Sequence, residues 1–167
     1  MKTQAGLVAA LAAAVLSAPL ALAGPTHADA FMKKAIQGNL AEIKEGQLAE
    51  RKGASEGVRH LGQVLVRDHS KANQKAMAAA SAMGVTPPAE PNAKQQSEYQ
   101  HLASLSGKQF DKAFAKAQVK GHKKVIAEYR KEAKTPNSPA STYASTSLAV
   151  LHKHLRLAEA LERKPAG

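Results

Sequence analysis

From about residue 30 onward the apolar side chains recur at three- and four-residue spacing, and the alternation that marks a half-buried strand is nearly absent. That period puts apolar residues on one stripe of a helix, so the chain is confined to an all-α fold whose helices bury their stripes against one another. The first predicted helix runs from about Ala30 to Lys52, with Asp29 as N-cap and Phe31, Ala35, Ile36, Leu40, Ile43 and Ala49 on its inner side, and Gly53 stops it. The second opens at Ser55, carries Val58, Leu61, Leu65, His69, Ala72 and Ala76 on one face, and closes at Met83 and Gly84. A turn of only a few residues joins the two, which predicts an antiparallel hairpin.

Pro87, Pro88 and Pro91 then interrupt the pattern, because proline lacks the N–H that a continuing helix needs. Asn92 and Gln95 have capping-box spacing, so a short helix over about Ala93 to Leu105 is expected inside this connection. Ser106 and Gln109 repeat the spacing and open a third long helix carrying Phe110, Phe114, Gln118, His122, Val125 and Tyr129. After a break at Thr135 to Pro139, Ser138 as N-cap and Pro139 at the first helical position start the fourth, with Leu148, Leu151, His154, Ala158 and Leu161 inward. The expected architecture is an up-down four-helix bundle with a longer crossover, containing the short extra helix, between helices 2 and 3.

The first two dozen residues are read as an address. Lys2 precedes an Ala- and Leu-rich run from Leu7 to Leu22, and Ala21-Leu22-Ala23 before Gly24 has the small-x-small form of a signal-peptidase site. Residues 1–23 are therefore expected to be a signal peptide and residues 24–167 a single domain, exported and periplasmic. No stretch of the mature chain is apolar enough to be read as a transmembrane segment. With no cysteine, disulfides and thiolate metal sites are excluded. The 24 Lys and Arg against 13 Asp and Glu leave a formal charge of +11, a field that favours an anionic envelope component as partner. Nucleic acid is not expected, given the export signal and the lack of Trp for base stacking.

Three histidines suggest chemistry. His69, His122 and His154 each fall near the middle of a different predicted helix, on or beside its apolar stripe. At about 1.5 Å per residue, Glu42 and His69 lie roughly 18 and 22 Å from the turn at Ala54, and His122 and His154 each lie roughly 22 to 25 Å from Asn137. One carboxylate and three imidazoles can therefore meet at the bundle centre. Such a set suits a divalent transition metal: zinc, iron, copper, nickel or manganese. Glu45, one turn from Glu42, could replace it or orient an imidazole through its second nitrogen. Asp68, about 100° around the helix from His69, reads as a surface or tertiary contact rather than a ligand. Tyr129 and Tyr143 could neighbour the histidines, while His60, His101 and His152 are expected to face solvent and His27 to lie in a frayed terminus.

The ordered set Phe31, Ala41-Glu42-Ile43, Glu45-Gly46, Leu48-Ala49, Asp68-His69-Ser70-Lys71-Ala72-Asn73, Leu105-Ser106-Gly107, Phe110-Asp111, His122 and His154-Leu155 resembles the bacterial exported family called domain of unknown function 4142. The resemblance implies a ferritin-like four-helix fold and a periplasmic or envelope location, without an established activity. One departure from ferritin proper matters. Carboxylate-bridged dimetal bundles carry Glu-x-x-His on two helices, whereas here Val66, Val119 and Leu151 stand three before the histidines. The single Glu98-to-His101 match lies alone in the crossover and reads as coincidence.

Three functions follow as alternatives. The first is metal or small-ligand binding at the His/Glu centre, non-enzymatic, in envelope stress or metal handling. The second is an envelope interaction module using the basic surface, Lys120, Lys123, Lys124, Arg130, Lys131 and Lys134 among it, with the histidines forming a structural polar network. A redox or hydrolytic metalloenzyme is the third, and needs an open coordination position.

Overall fold

A computed structural model of the chain describes residues 26–163; the predicted signal peptide lies outside the described residues. Five helices make up the fold: α1 His27–Lys52, α2 Glu56–Ala82, α3 Ala93–Ser104, α4 Gly107–Glu132 and α5 Pro139–Arg163. Among the described residues there is no strand. The expected all-α class is therefore what the chain adopts, in a bundle-like packing of α1 on α2, α4 on α5, and α2 on α5.

The helix starts show how local sequence sets the boundaries. α1 begins earlier than its apolar stripe indicated, because Thr26 rather than Asp29 is its N-cap: Thr26 Oγ1 accepts from the Asp29 N–H at 3.1 Å and the Asp29 carboxylate accepts from the Thr26 N–H at 2.8 Å. Two of the helix's orphan donors are satisfied at once. His27 consequently lies in the first turn, not in a frayed end, with its Nδ1 3.2 Å from the Glu132 carboxylate. Asn92 and Gln95 form the expected reciprocal cap of α3, at 3.1 and 2.9 Å. Ser106 occupies the N-cap of α4 but makes no side-chain cap bond, so its pairing with Gln109 does not form. Ser138 caps α5 as expected, accepting from the Ser141 N–H at 3.0 Å.

Two further features set the helices level with each other. The N–H groups of Ala54 and Ser55, in the turn between α1 and α2, donate to the Asp111 carboxylate at 2.9 and 2.8 Å, which holds the N-terminal part of α4 beside that turn. Gly46 and Gly62 let α1 and α2 meet backbone to backbone; a Cβ on Gly62 would fall 2.7 Å from the Gly46 carbonyl oxygen. Asn39 lies two turns from Gly46, and His69 two turns from Gly62. Antiparallel helices in register at the glycines therefore place Asn39 opposite His69.

Burial divides the interior into three layers. One apolar cluster contains Phe31, Met32, Ile36, Ala80, Ile126, Tyr129, Tyr143 and Leu151. The other contains Leu48, Val58, Leu61, Leu65, Leu102, Phe110, Phe114 and Val119. Leu40 and Ile43, expected inward, are only partly buried. Between the clusters lies a polar belt of buried Asn39, Glu45, His69, Gln118, His122 and His154. A buried large apolar side chain contributes about 1.5–3 kcal/mol, and a buried polar atom left without a partner costs about 1–3 kcal/mol. Such a belt offsets much of the neighbouring core wherever its atoms lack partners.

Candidate metal centre

α2, α4 and α5 bring His69, His122 and His154 together at the centre of the belt, at 5 %, 2 % and 0 % exposure. One ring nitrogen of each lies within 4.8 Å of the others. Ring centroids are 5.1 Å apart for His69 and His154, 5.3 Å for His122 and His154, and 6.1 Å for His69 and His122. The depth matching read from the sequence thus holds in space for the three histidines, while Glu42, matched with them, lies outside the group. His60 and His101 are exposed, as expected; His152 is half-buried, with Nε2 3.1 Å from Arg130 Nη2.

Each ring is oriented by an outer partner that also selects its tautomer. His122 Nδ1 faces the Gln118 backbone carbonyl at 3.0 Å and can only donate to it. His154 Nε2 faces the Asp68 carboxylate at 3.0 Å and donates there. His69 Nδ1 donates to Asn39 Oδ1 at 3.0 Å, and the Asn39 amide nitrogen, so oriented, donates to the Tyr143 hydroxyl at 2.9 Å. With three outer nitrogens carrying protons, neutral rings keep lone pairs on His69 Nε2, His122 Nε2 and His154 Nδ1. His122 Nε2 and His154 Nδ1 stand 3.3 Å apart, and His69 Nε2 is buried without a partner. The centre is three acceptors with no donor between them.

The electrostatics act in the same sense. Burial pulls His69 well below the usual histidine range, and the neighbouring His154 and His122 add to that. Burial likewise pulls His154 down to about 4, although the hydrogen bond to Asp68 acts the other way. Asp68 itself is pushed up by partial burial, but hydrogen bonds from Arg67, Lys153 and His154 outweigh this and hold it well below the ordinary carboxylate range. Protonation of His69 or His154 is therefore disfavoured at neutral pH.

Glu42 and Glu45 occupy another side of the belt. They are not among the residues whose ligand atoms share the 4.8 Å cluster, and neither orients an imidazole. Glu45 instead accepts from the Gln118 side-chain amide at 2.9 Å, so the orienting role expected of it falls to Asp68, Asn39 and the Gln118 carbonyl. Burial raises the Glu42 carboxyl, and it raises Glu45 further, with repulsion from Glu42 and Glu98 adding to it. Both glutamates line a cavity of about 330 Å³ together with Asn39, His69, Gln118 and His122. Glu98 of α3 also lines this cavity, so the residue set aside as an isolated Glu-x-x-His match faces the same space.

Asn39 and Gln118 were not readable as site residues in advance. A polar residue at an inward helical position is the available signal, and Gln118 lies on the stripe of its helix, but nothing in one helix shows what the amide will face. Tyr143 reaches the site one residue removed, through Asn39.

The fold and site together define an all-helical, bundle-like protein with a buried three-histidine centre beside a cavity lined by both glutamates and lysines. A family model described as Domain of unknown function (DUF4142) matches residues 12–161, and the chain belongs to that family. Searches of curated proteins and of solved structures each found no match.

Proposed function

We propose that this is an exported, periplasmic protein that holds one divalent transition metal at His69, His122 and His154, non-enzymatically, in metal handling or envelope stress. The observation that carries this is the convergence of three inward lone pairs, each set by a separate outer hydrogen bond. A tetrahedral ion about 2.0–2.1 Å from each nitrogen holds its nitrogens roughly 3.3–3.4 Å apart. The 3.3 Å between His122 Nε2 and His154 Nδ1 already matches that spacing. Carboxylate and carbonyl partners on the far nitrogens are the arrangement that raises imidazole basicity at metal sites. In the neutral tautomers that the outer partners select, His122 Nε2 and His154 Nδ1 face each other as two acceptors, an arrangement that a shared cation relieves.

Export rests on the signal-peptide pattern of residues 1–23, and a single domain over 24–167 on the length and continuity of the helical pattern. We read the helices as a ferritin-like four-helix bundle, α1, α2, α4 and α5, with α3 in the crossover. A second reading has one observation in its favour: Lys120, Lys123, Lys124, Arg130 and Lys131 are exposed along α4 of a chain with formal charge +11. That surface suits an anionic envelope component.

Calorimetric titration of the chelator-treated protein with zinc tests the main reading. One zinc per chain is expected, with affinity falling more than 100-fold in His154→Ala while far-UV circular dichroism is retained. No zinc uptake by the wild-type protein sinks the metal reading and leaves the basic surface as the functional one.

A further inference from the structure

The carboxylate side of the belt poses a separate problem of charge. Glu45 is 6 % exposed and Gln118 2 % exposed, and among the described residues neither Glu42 nor Glu45 forms an ion pair with a lysine, arginine or histidine. The hydrogen bond found for the pair is the one Gln118 Nε2 donates to Glu45 Oε2 at 2.9 Å. Glu42 Oε2 is buried with no partner, and so is the side-chain oxygen of Gln118 itself. Two carboxylates one turn apart on α1 and an amide oxygen from α4 therefore face the cavity as acceptors, with one amide donor among them. Charge buried without a partner is costly enough that natural sites pair it or give it a metal.

We infer that Glu42, Glu45 and the side-chain oxygen of Gln118 form a second cation site, distinct from the histidines, for a hard, oxygen-preferring divalent ion such as Mn²⁺. The ligand chemistry separates the two sites: imidazole nitrogens suit zinc, copper or nickel, whereas carboxylate and amide oxygens with water suit magnesium, calcium or manganese. Once ionised, the two glutamates would supply the −2 charge that a divalent ion neutralises, so the ion takes the place of the protons that burial otherwise favours. The cavity of about 330 Å³ provides room for the waters such an ion keeps; its lining holds Glu98 and also Lys34, Lys94, Lys120 and Lys124, none of which pairs with Glu42 or Glu45. Gln118 links the sites, because its side chain contacts Glu45 while its backbone carbonyl orients His122. Cation binding at the oxygen site is thereby coupled to the geometry of one histidine.

This inference builds on the proposed histidine site, and its test separates the two. Zinc-loaded protein is titrated with MnCl₂, free Mn²⁺ is followed by its electron paramagnetic resonance signal, and ¹⁵N-labelled His122 is observed for paramagnetic broadening. One further equivalent of Mn²⁺ that broadens His122 is expected, reduced at least tenfold in affinity in Glu42→Gln and Glu45→Gln with zinc content unchanged. Gln118→Leu should lower Mn²⁺ affinity as well, with circular dichroism confirming the fold of each variant. Absence of Mn²⁺ uptake, or uptake that is indifferent to Glu42→Gln and Glu45→Gln, overturns the second site and leaves the zinc site standing. If the histidines take no zinc, the same titration of the metal-free chain still decides the oxygen site, by the same two glutamate variants.

Discussion

The two sides of the polar belt are built from the same ingredients, buried ionisable groups on facing helices, yet they are supported differently. On the histidine side every ring has its own outer partner: Asn39 for His69, the Gln118 carbonyl for His122, Asp68 for His154. On the carboxylate side one amide serves Glu45, and Glu42 Oε2 has none. The histidine side is thus preorganised by its own hydrogen bonds, whereas the carboxylate side is uncompensated and depends on what enters the cavity. Burial also displaces the two sides in opposite directions, lowering His69 and His154 and raising Glu42 and Glu45.

Acid should break the histidine side with the largest effect. His154 is depressed to about 4 in the folded protein from an ordinary value of 6.5. The unfolded chain therefore takes up its proton first, and the contribution is complete above about pH 6.5 and lost as pH falls toward 4. For a displacement of this size the loss in the metal-free protein is about 3 kcal/mol. Urea unfolding of chelated protein between pH 7 and pH 4 checks it, and a flat profile in that window, with His154→Ala behaving like wild type, contradicts the burial argument.

Removing the support beneath one ligand comes next. Asp68→Ala leaves the rings in place but frees His154 Nε2 from the carboxylate that holds its proton there. A loss of 10- to 100-fold in zinc affinity is expected, the ordinary effect of deleting such an outer partner. Unchanged affinity would show that packing alone orients the ring.

The smallest effect belongs to the carboxylate side and has the opposite sign. Because the Glu42 carboxyl is raised in the folded state, its ionisation costs stability as pH climbs above about 4.5. In chelated protein Glu42→Gln should therefore be more stable than wild type at pH 7 by about 1 kcal/mol, with the gap closing toward pH 4. Thermal unfolding at both pH values measures this, and a variant less stable than wild type at pH 7 would falsify the view that the carboxylate is uncompensated.

Much of this was legible before any contact was known. The helical period, the proline interruption and the serine and asparagine caps are local signals, since capping and backbone preference act within a few residues. They locate the five helices of the described residues, with one cap misplaced: Asp29 is the N3 partner in a capping box that Thr26 heads. Depth along a helix is also arithmetic on residue number, which is why His69, His122 and His154 could be matched across three helices. Asp68 is the instructive contrast. Its place about 100° around α2 from His69 marked it as a surface or tertiary contact, but that the contact is His154 depends on how α5 lies against α2.

Local sequence, acting over one or two helical turns, was enough for the all-α class, the approximate helix spans, most of each apolar stripe and three histidines at a common depth; it was not enough for the start of α1 or the burial of Leu40 and Ile43. Tertiary structure alone decided rotation and partnership. The Gly46–Gly62 contact places Asn39 opposite His69, and Asp111 holds α4 beside the first turn. The physical reason is that an imidazole's tautomer and a carboxylate's charge depend on atoms a few ångströms away in space, supplied by helices tens of residues distant in the chain.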